Sequence, residues 1–149
     1  LQDAQNNPDG GFPTVSSGVP APSPALPLRA ALARNDLRDW VPTVPTLLCG
    51  GDQDPEVFFF NTSLMQQYWQ QQGSAAAADA VLDLEAPVGS ADPYATLKQG
   101  FEAAKAATAA AAIVQGATDG GAGAVANAYH STLVPPFCLA AAVSLFTAH

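Results

Sequence analysis

Positive charge is scarce in this chain. Only five of its 149 residues are Lys or Arg, against 13 Asp or Glu, so the formal net charge is −8 at pH 7, and only 12% of all residues are charged. A protein that binds a phosphate backbone needs clustered cations. The composition therefore excludes an extended basic groove, and we expect neither nucleic acid nor an anionic membrane surface to be a partner.

Long apolar runs are also lacking. The longest covers residues 133–148 and is interrupted by two prolines, Ser144 and Thr147. Because a bilayer requires roughly 20 apolar residues, the sequence predicts no membrane span. Residues 1–7 have neither the basic start nor the apolar stretch of a signal peptide. The first residue is Leu1 and not Met, so we expect a piece of a longer protein, with any targeting signal upstream.

Cysteine and histidine are too few to suggest a metal site. The chain contains only Cys49, Cys138, His130 and His149, and a structural zinc ion takes four such ligands. We therefore expect no metal and no cofactor. The burial preference of cysteine favours two free interior thiols over a disulfide. A disulfide stays open as the alternative and would suit a secreted protein.

Apolar residues, by contrast, are abundant. They make up 48% of the chain, and a mean hydropathy of +0.11 excludes a wholly disordered chain and indicates one domain with a real core. Turn formers and prolines over residues 1–27 predict an extended loop. A short helix over 24–35, with Ser23 as its cap, follows. The chain thus divides into 1–39, an extended loop and short helix, and 40–149, the folded portion.

Two short apolar segments predict a parallel sheet. Residues 46–50 are typical of a buried strand, and residues 80–86 are typical of a second short strand. Between them a helix is predicted over 62–72, with Asn61 as its cap and Gly73 as its stop. A strand, a helix and a strand within about 40 residues indicate a crossover unit, whose strands run parallel. The predicted fold class is therefore α/β.

Two further helices are predicted after the second strand. Residues 92–115 are rich in Ala, which has the highest helix propensity, and Asp92 is positioned to cap them. Four glycines break the chain between 116 and 123. A closing helix is predicted over 133–147, with Thr132 as its cap.

Asp54 and His130 are the candidate catalytic residues. Asp54 leaves the first strand through a glycine-rich turn, and catalytic groups gather at the carboxyl ends of parallel strands; alternatively, it or Asp52 forms a helix cap or an Asx turn. A lone His is more often a satisfied polar residue, but a loop histidine such as His130 at the rim of a sheet can act as a general base. Asp83 and Glu85 alternate with leucines and are interpreted as the exposed end of an edge strand.

The order and spacing of these residues carry a family resemblance. Residues 51–57 read Gly-x-x-Asp-x-x-Val with Asp54 as the acid, and Asp54 precedes His130, which an apolar helix follows. Together with the approach to the first strand from Trp40, these features make residues 36–148 resemble the C-terminal part of an α/β-hydrolase, of the secreted lipase, esterase or prolyl-oligopeptidase-like kind. The triad of that family is ordered Ser, Asp, His.

The resemblance implies both a fold and an activity. The fold would be the C-terminal part of the hydrolase's parallel sheet with flanking helices, and residues 92–115 would be a helical insertion before the His loop. The activity would be serine hydrolysis of a small-molecule ester or amide through an acyl-enzyme. His130 would be the base, and Asp54 would hold its tautomer and stabilise the imidazolium. Secreted or periplasmic localisation would follow.

The nucleophile of such a hydrolase is missing from these residues. No serine of the chain has the Gly-x-Ser-x-Gly flanks of the family's nucleophile elbow. We therefore expect the serine to lie outside this chain, which makes the upstream portion of the same protein a partner. The alternative is a non-catalytic α/β fragment or partner-binding module.

Overall fold

The computed structural model describes residues 27–34, 40–77 and 80–147. The predicted loop over 1–26 and the Ser23 cap lie outside these residues. The described chain divides into two compact units. The first contains residues 27–34, 40–46, 63–77 and 80, and the second contains 47–62 and 81–147. The sequence-based boundary between 39 and 40 stays a prediction.

The first unit holds a short helix and a tryptophan pair. Helix α1 covers Pro27–Arg34, which lies within the predicted 24–35; residues 24–26 and 35 are outside the described part of the chain. Trp69 is completely buried, and its indole Nε1 donates to the carbonyl of Trp40 at 3.0 Å. The two rings meet edge to face with their centroids 5.3 Å apart. This pair ties residues 40–46 to the second half of the helix that carries Trp69.

That helix, α2, covers Phe60–Gln71 and is followed by a 3₁₀ turn over Ala75–Ala77. Its predicted stop is confirmed, since Gly73 follows it with φ +74°, in the left-handed region that favours glycine. Its predicted start is wrong. Asn61 lies inside the helix and not before it, and its side-chain amide donates to the carbonyl of Phe58 at 3.1 Å. The helix begins at Phe60, two residues before the predicted first position.

The sheet of the second unit is parallel, as predicted. Strand β1 covers Leu48–Gly50 and β2 covers Val81–Asp83, and Cys49 pairs with Leu82. Within the described residues the sheet has these two strands, each shorter than the predicted segment. The mixed helix-and-strand class is therefore confirmed. It is too small a sheet to identify a particular α/β fold.

Helix α3 covers Ala95–Val114, so the predicted long helix is present but begins three residues later. Asp92 is not its cap. One carboxylate oxygen accepts the backbone N–H of Tyr94 at 2.8 Å, and the other pairs with the ammonium of Lys98 at 2.7 Å. Asp92 thus shapes the turn that leads into the helix.

The last part of the chain differs most from its prediction. Helix α4 covers Ala122–Ala128, a π-helical turn covers Tyr129–Leu133, and helix α5 covers Val134–Thr147. The three are continuous, so Thr132 caps nothing. The N–H of Val134 reaches back five residues to the carbonyl of Tyr129. Pro135 and Pro136 have no N–H to donate, and a wider turn before a proline is a common way for a helix to continue.

The core of the second unit forms where these helices meet β2. Its buried residues surround the Phe101 ring, which packs edge to face against Tyr129 at 5.6 Å and against Phe137 at 5.5 Å. Such aromatic contacts stabilise a core beyond the area that they bury. The core members are Leu82, Leu84, Phe101, Tyr129, Leu133, Val134 and Ala141.

Cys49 and Cys138 form a disulfide between β1 and α5, with their Cα atoms 5.5 Å apart. The prediction of two free thiols is therefore wrong. Each cysteine is half-buried and not fully interior. The sequence could not show that the fold brings together two positions 89 residues apart.

One helical run in the described part of the chain, Ala122–Thr147, is long and apolar enough to cross a membrane by length and composition. The core helix of a soluble protein can have the same length and composition. The disulfide and the core residues Tyr129, Leu133, Val134 and Ala141 join this run to the second unit. The prediction of no membrane span stays a prediction.

Removal of the disulfide should destabilise the protein. Because the bond closes a loop of 89 residues, the chain-entropy relation gives a loss of about 4 to 5 kcal/mol in the free energy of unfolding of Cys49→Ala/Cys138→Ala. Urea unfolding of the variant and the wild type measures the difference. Alkylation of the native, unreduced protein should modify neither cysteine, and modification of both would contradict the bond.

Candidate active site

Asp54 is a buried carboxylate in the turn that follows β1. The residue is 6% exposed. Its Oδ1 accepts the backbone N–H groups of Glu56 and Val57, each at 2.9 Å, and its own N–H donates to the carbonyl of Gly51 at 3.2 Å. The Asx turn proposed as the alternative role of Asp54 is thus present. This turn uses only Oδ1. Because it holds the carboxylate in place, it also fixes the direction of Oδ2.

That second oxygen contacts His130. The distance between Asp54 Oδ2 and His130 Nδ1 is 2.8 Å, across 76 residues of sequence. The expected proximity of the two side chains is confirmed. The expected loop is not: His130 is in the π-helical turn Tyr129–Leu133. Its side chain is 42% exposed, whereas that of Asp54 is 6% exposed. The structure therefore pairs an inner carboxylate with an imidazole open to solvent.

The electrostatics of Asp54 favour its ionised form. Burial by itself raises the pKa of this carboxyl. The hydrogen bonds from Val57 and Glu56, and the contact with His130, outweigh that effect, and the pKa lies below its ordinary value. An ionised carboxylate only accepts hydrogen bonds, so His130 Nδ1 carries the proton that it donates.

The proton on Nδ1 determines what the other ring nitrogen can do. In the neutral imidazole Nε2 is then the acceptor, and no described residue donates to it. A partly exposed Nε2 lone pair, with a buried carboxylate behind the ring, can take a proton from a hydroxyl or a water molecule. The carboxylate would then stabilise the imidazolium.

Sequence reasoning missed a second polar cluster beside this pair. Glu85, interpreted as the exposed end of an edge strand, has a side chain only 6% exposed, so that interpretation is wrong. Both of its oxygens accept from the ammonium of Lys105 at 2.6 Å, and Oε1 also accepts the hydroxyl of Tyr129 at 2.6 Å. The alternation of the strand placed Glu85 on an outward face. Alternation alone could not reveal that Lys105 of α3 pairs with this carboxylate.

The three partners of this cluster adjust one another's charge. Burial raises the pKa of Glu85, but the hydrogen bonds from Lys105 and Tyr129 bring it below its ordinary value. Burial lowers the pKa of Lys105, yet Glu102 and Glu85 raise it above its ordinary value. Burial and the Glu85 carboxylate together raise the pKa of Tyr129 strongly. Glu85 is therefore charged, and the Tyr129 hydroxyl keeps its proton and remains a hydrogen-bond donor.

Metal ligands do not gather around either cluster. No group of three or more His, Cys, Asp or Glu side chains suited to a metal ion occurs among the described residues. Comparisons with protein-family models, with curated proteins and with solved structures each yield no match. The chemistry of which this chain is capable is therefore inferred from the geometry of Asp54 and His130.

Asp54→Asn should lower the free energy of unfolding by about 2 kcal/mol at neutral pH, because a charged acceptor of three hydrogen bonds is lost. The native pKa of Asp54 lies below the value of 3.8 that applies to the unfolded chain. The advantage of the wild type should thus be complete above pH 3.8 and should disappear as the pH falls through the native pKa. Urea unfolding across the acid range measures this difference.

The matched control is Asp52→Asn, which alters an exposed carboxylate two residues earlier. A wild-type advantage over Asp54→Asn that persists undiminished at the lowest pH would show that the ionised form of Asp54 contributes nothing to stability.

Proposed function

We propose that Asp54 and His130 are the acid and the base of a serine-hydrolase triad that cleaves carboxylic esters or amides, with the serine supplied from outside these 149 residues. The observation that carries the proposal is the 2.8 Å contact between Asp54 Oδ2 and His130 Nδ1. It leaves Nε2 directed away from the carboxylate on a side chain 42% exposed. A triad requires this division of the two ring nitrogens.

The proposed reaction proceeds in two halves. His130 Nε2 takes the proton of the serine hydroxyl while the serine oxygen attacks the substrate carbonyl, and the resulting imidazolium is stabilised by Asp54. The tetrahedral intermediate collapses, Nε2 returns the proton to the leaving alcohol or amine, and an acyl-enzyme remains. Water then attacks the acyl-enzyme with His130 again as the base, which releases the acid and restores the serine.

The location of the pair supports an α/β-hydrolase origin. Asp54 follows the carboxyl end of a strand in a parallel sheet, where ligands bind in α/β proteins. It precedes His130 in the chain, which agrees with the Ser, Asp, His order of α/β-hydrolases. Helix α5 follows the π-helical turn that carries His130. The disulfide joins this helix to β1, the strand that precedes Asp54, so a covalent bond links the two parts of the chain that carry the pair.

The exposed apolar surface of the second unit supports an additional partner. Parallel sheets are normally buried on both faces. Large apolar side chains are nevertheless exposed on the helices, among them Val114 at 87% and Phe146 at 78%. We propose that the upstream portion of the same protein covers part of this surface and brings the serine.

A fluorophosphonate probe tests the proposed function. The 149-residue chain alone should neither react with the probe nor hydrolyse p-nitrophenyl esters, whereas the longer protein that contains it should do both. In the longer protein, His130→Ala should reduce kcat by about 10⁶-fold and Asp54→Asn by about 10⁴-fold.

The control for Asp54→Asn is Asp119→Asn. That carboxylate also accepts two backbone N–H groups, those of Gly121 and Gly123, but it contacts no catalytic candidate. Its variant should retain full activity. Stoichiometric labelling of a serine within the 149 residues, or full activity of His130→Ala, would contradict the proposal, and an inert longer protein would favour a non-catalytic partner-binding module.

A further inference from the structure

Tyr129 and His130 are neighbours in the chain that face opposite environments. Tyr129 is 2% exposed and packs against Phe101 in the core, whereas the His130 side chain is 42% exposed. Beyond its contact with Asp54, the His130 ring has no hydrogen bond to a described residue. The position of its backbone therefore determines whether the imidazole reaches the carboxylate.

The hydroxyl of Tyr129 is bonded to a fixed acceptor. It donates to Glu85 Oε1 at 2.6 Å, and Glu85 is itself held by the ammonium of Lys105 at 2.6 Å. The side chains of Glu85 and Lys105 are only 6% and 15% exposed, so water competes little for these bonds. A charged acceptor in such surroundings makes a stronger hydrogen bond than a neutral one.

The same cluster is connected to the loop that carries Asp54. Asp83 Oδ1 accepts the backbone N–H of Glu85 at 3.0 Å and that of Asp52 at 3.1 Å. The segment that follows β2 and holds Glu85 is thereby bonded to the turn that leads to Asp54. The Asp83 carboxylate thus connects the turn that leads to Asp54 with the segment that holds Glu85, and Glu85 in turn binds Tyr129, the neighbour of His130.

Gly51 adds a direct contact between Tyr129 and this turn. A Cβ atom at Gly51 would lie 2.2 Å from the Tyr129 hydroxyl oxygen and 3.1 Å from Cζ, so only glycine admits the hydroxyl here. The φ angle of Gly51 is not positive, and the requirement for glycine is therefore one of space. The phenol lies against the backbone three residues before Asp54.

We propose that Tyr129 is a positioning residue, which holds the π-helical turn through Glu85, Lys105 and the Gly51 backbone so that His130 Nδ1 meets Asp54 Oδ2. The proposal rests on the proposed function, since positioning matters for catalysis only if the pair is catalytic. Tyr129 touches no reacting atom in this account. Its hydroxyl acts through the backbone that it shares with His130.

The tautomer of His130 reports the positioning directly. In the wild type, ¹⁵N NMR recorded on the neutral form of the ring should show the proton mainly on Nδ1. The chain has only two histidines, which makes the resonances simple to assign. Tyr129→Phe keeps the ring in the core and removes only the hydroxyl. We expect the ratio of the Nδ1–H to the Nε2–H form to fall about fivefold, because one hydrogen bond that holds the turn is lost.

Two controls separate positioning from a general loss of stability. Tyr94→Phe removes a phenol hydroxyl that makes no hydrogen bond to a described residue, and it should leave the tautomer ratio unchanged. Glu102→Gln alters a carboxylate that also pairs with Lys105 but is 57% exposed, and it should change the ratio little. Glu85→Gln, which removes the charged acceptor of Tyr129, should shift the ratio in the same direction as Tyr129→Phe.

A double variant tests the contact with Gly51. Gly51→Ala should lower the tautomer ratio because its methyl group would collide with the Tyr129 hydroxyl. In Gly51→Ala/Tyr129→Phe the worst collision is removed, and the contact that remains, 3.1 Å from the new Cβ atom to Cζ, requires the ring to shift by only a few tenths of an ångström. The double variant should therefore have the ratio of Tyr129→Phe alone and not a lower one.

The outcomes decide the proposal independently of the proposed function. If folded Tyr129→Phe keeps the wild-type tautomer ratio, or if Tyr94→Phe lowers it equally, Tyr129 does not position His130. If Tyr129→Phe fails to fold by circular dichroism, the ratio in Glu85→Gln decides instead. A shifted ratio in a protein whose longer form resists the fluorophosphonate probe would preserve the positioning and refute the hydrolase function.

Discussion

A buried carboxylate stays ionised only when neighbouring donors and cations replace the water that it has lost. Glu85 meets this requirement with the ammonium of Lys105 and the hydroxyl of Tyr129, both at 2.6 Å. Each donor comes from a different helical element, so the compensation of one charge fixes α3 and the π-helical turn against the end of β2. Removal of either donor would leave the charge incompletely compensated, which couples the packing of these elements to one another.

The π-helical turn Tyr129–Leu133 places two adjacent side chains in opposite environments. Tyr129 and Leu133 point into the core, whereas the His130 ring is partly open to solvent and contacts the buried Asp54 at 2.8 Å. A rigid inner anchor with an outer reactive group is the usual arrangement of a precise site, because the supporting contacts restrict the rotation of the functional ring. The disulfide between Cys49 and Cys138 adds a covalent link on the helix that follows.

The features that could be predicted from the sequence are those with local signals. Glycines and an apolar run indicated a strand just before Asp54, which is present as β1 although it is half-buried and not buried, and the chain order suggested His130 as the partner of Asp54. The disulfide, across 89 residues, and the Glu85–Tyr129 bond, across 44, have no local spacing to reveal them. Local rules also failed where tertiary contacts prevailed: Asn61 and Thr132 lie within helical turns, although their side chains are suited to caps.

The central claim is that His130 Nε2 serves a serine from outside these 149 residues while Asp54 holds Nδ1. An experimental structure of the longer protein, covalently inhibited with a phosphonate, tests it most directly. The account predicts that the modified residue is an upstream serine whose Oγ lies within hydrogen-bond reach of His130 Nε2, with the Asp54 contact intact. A phosphonylated residue remote from His130, or an Asp54 carboxylate turned away from the ring, would contradict it.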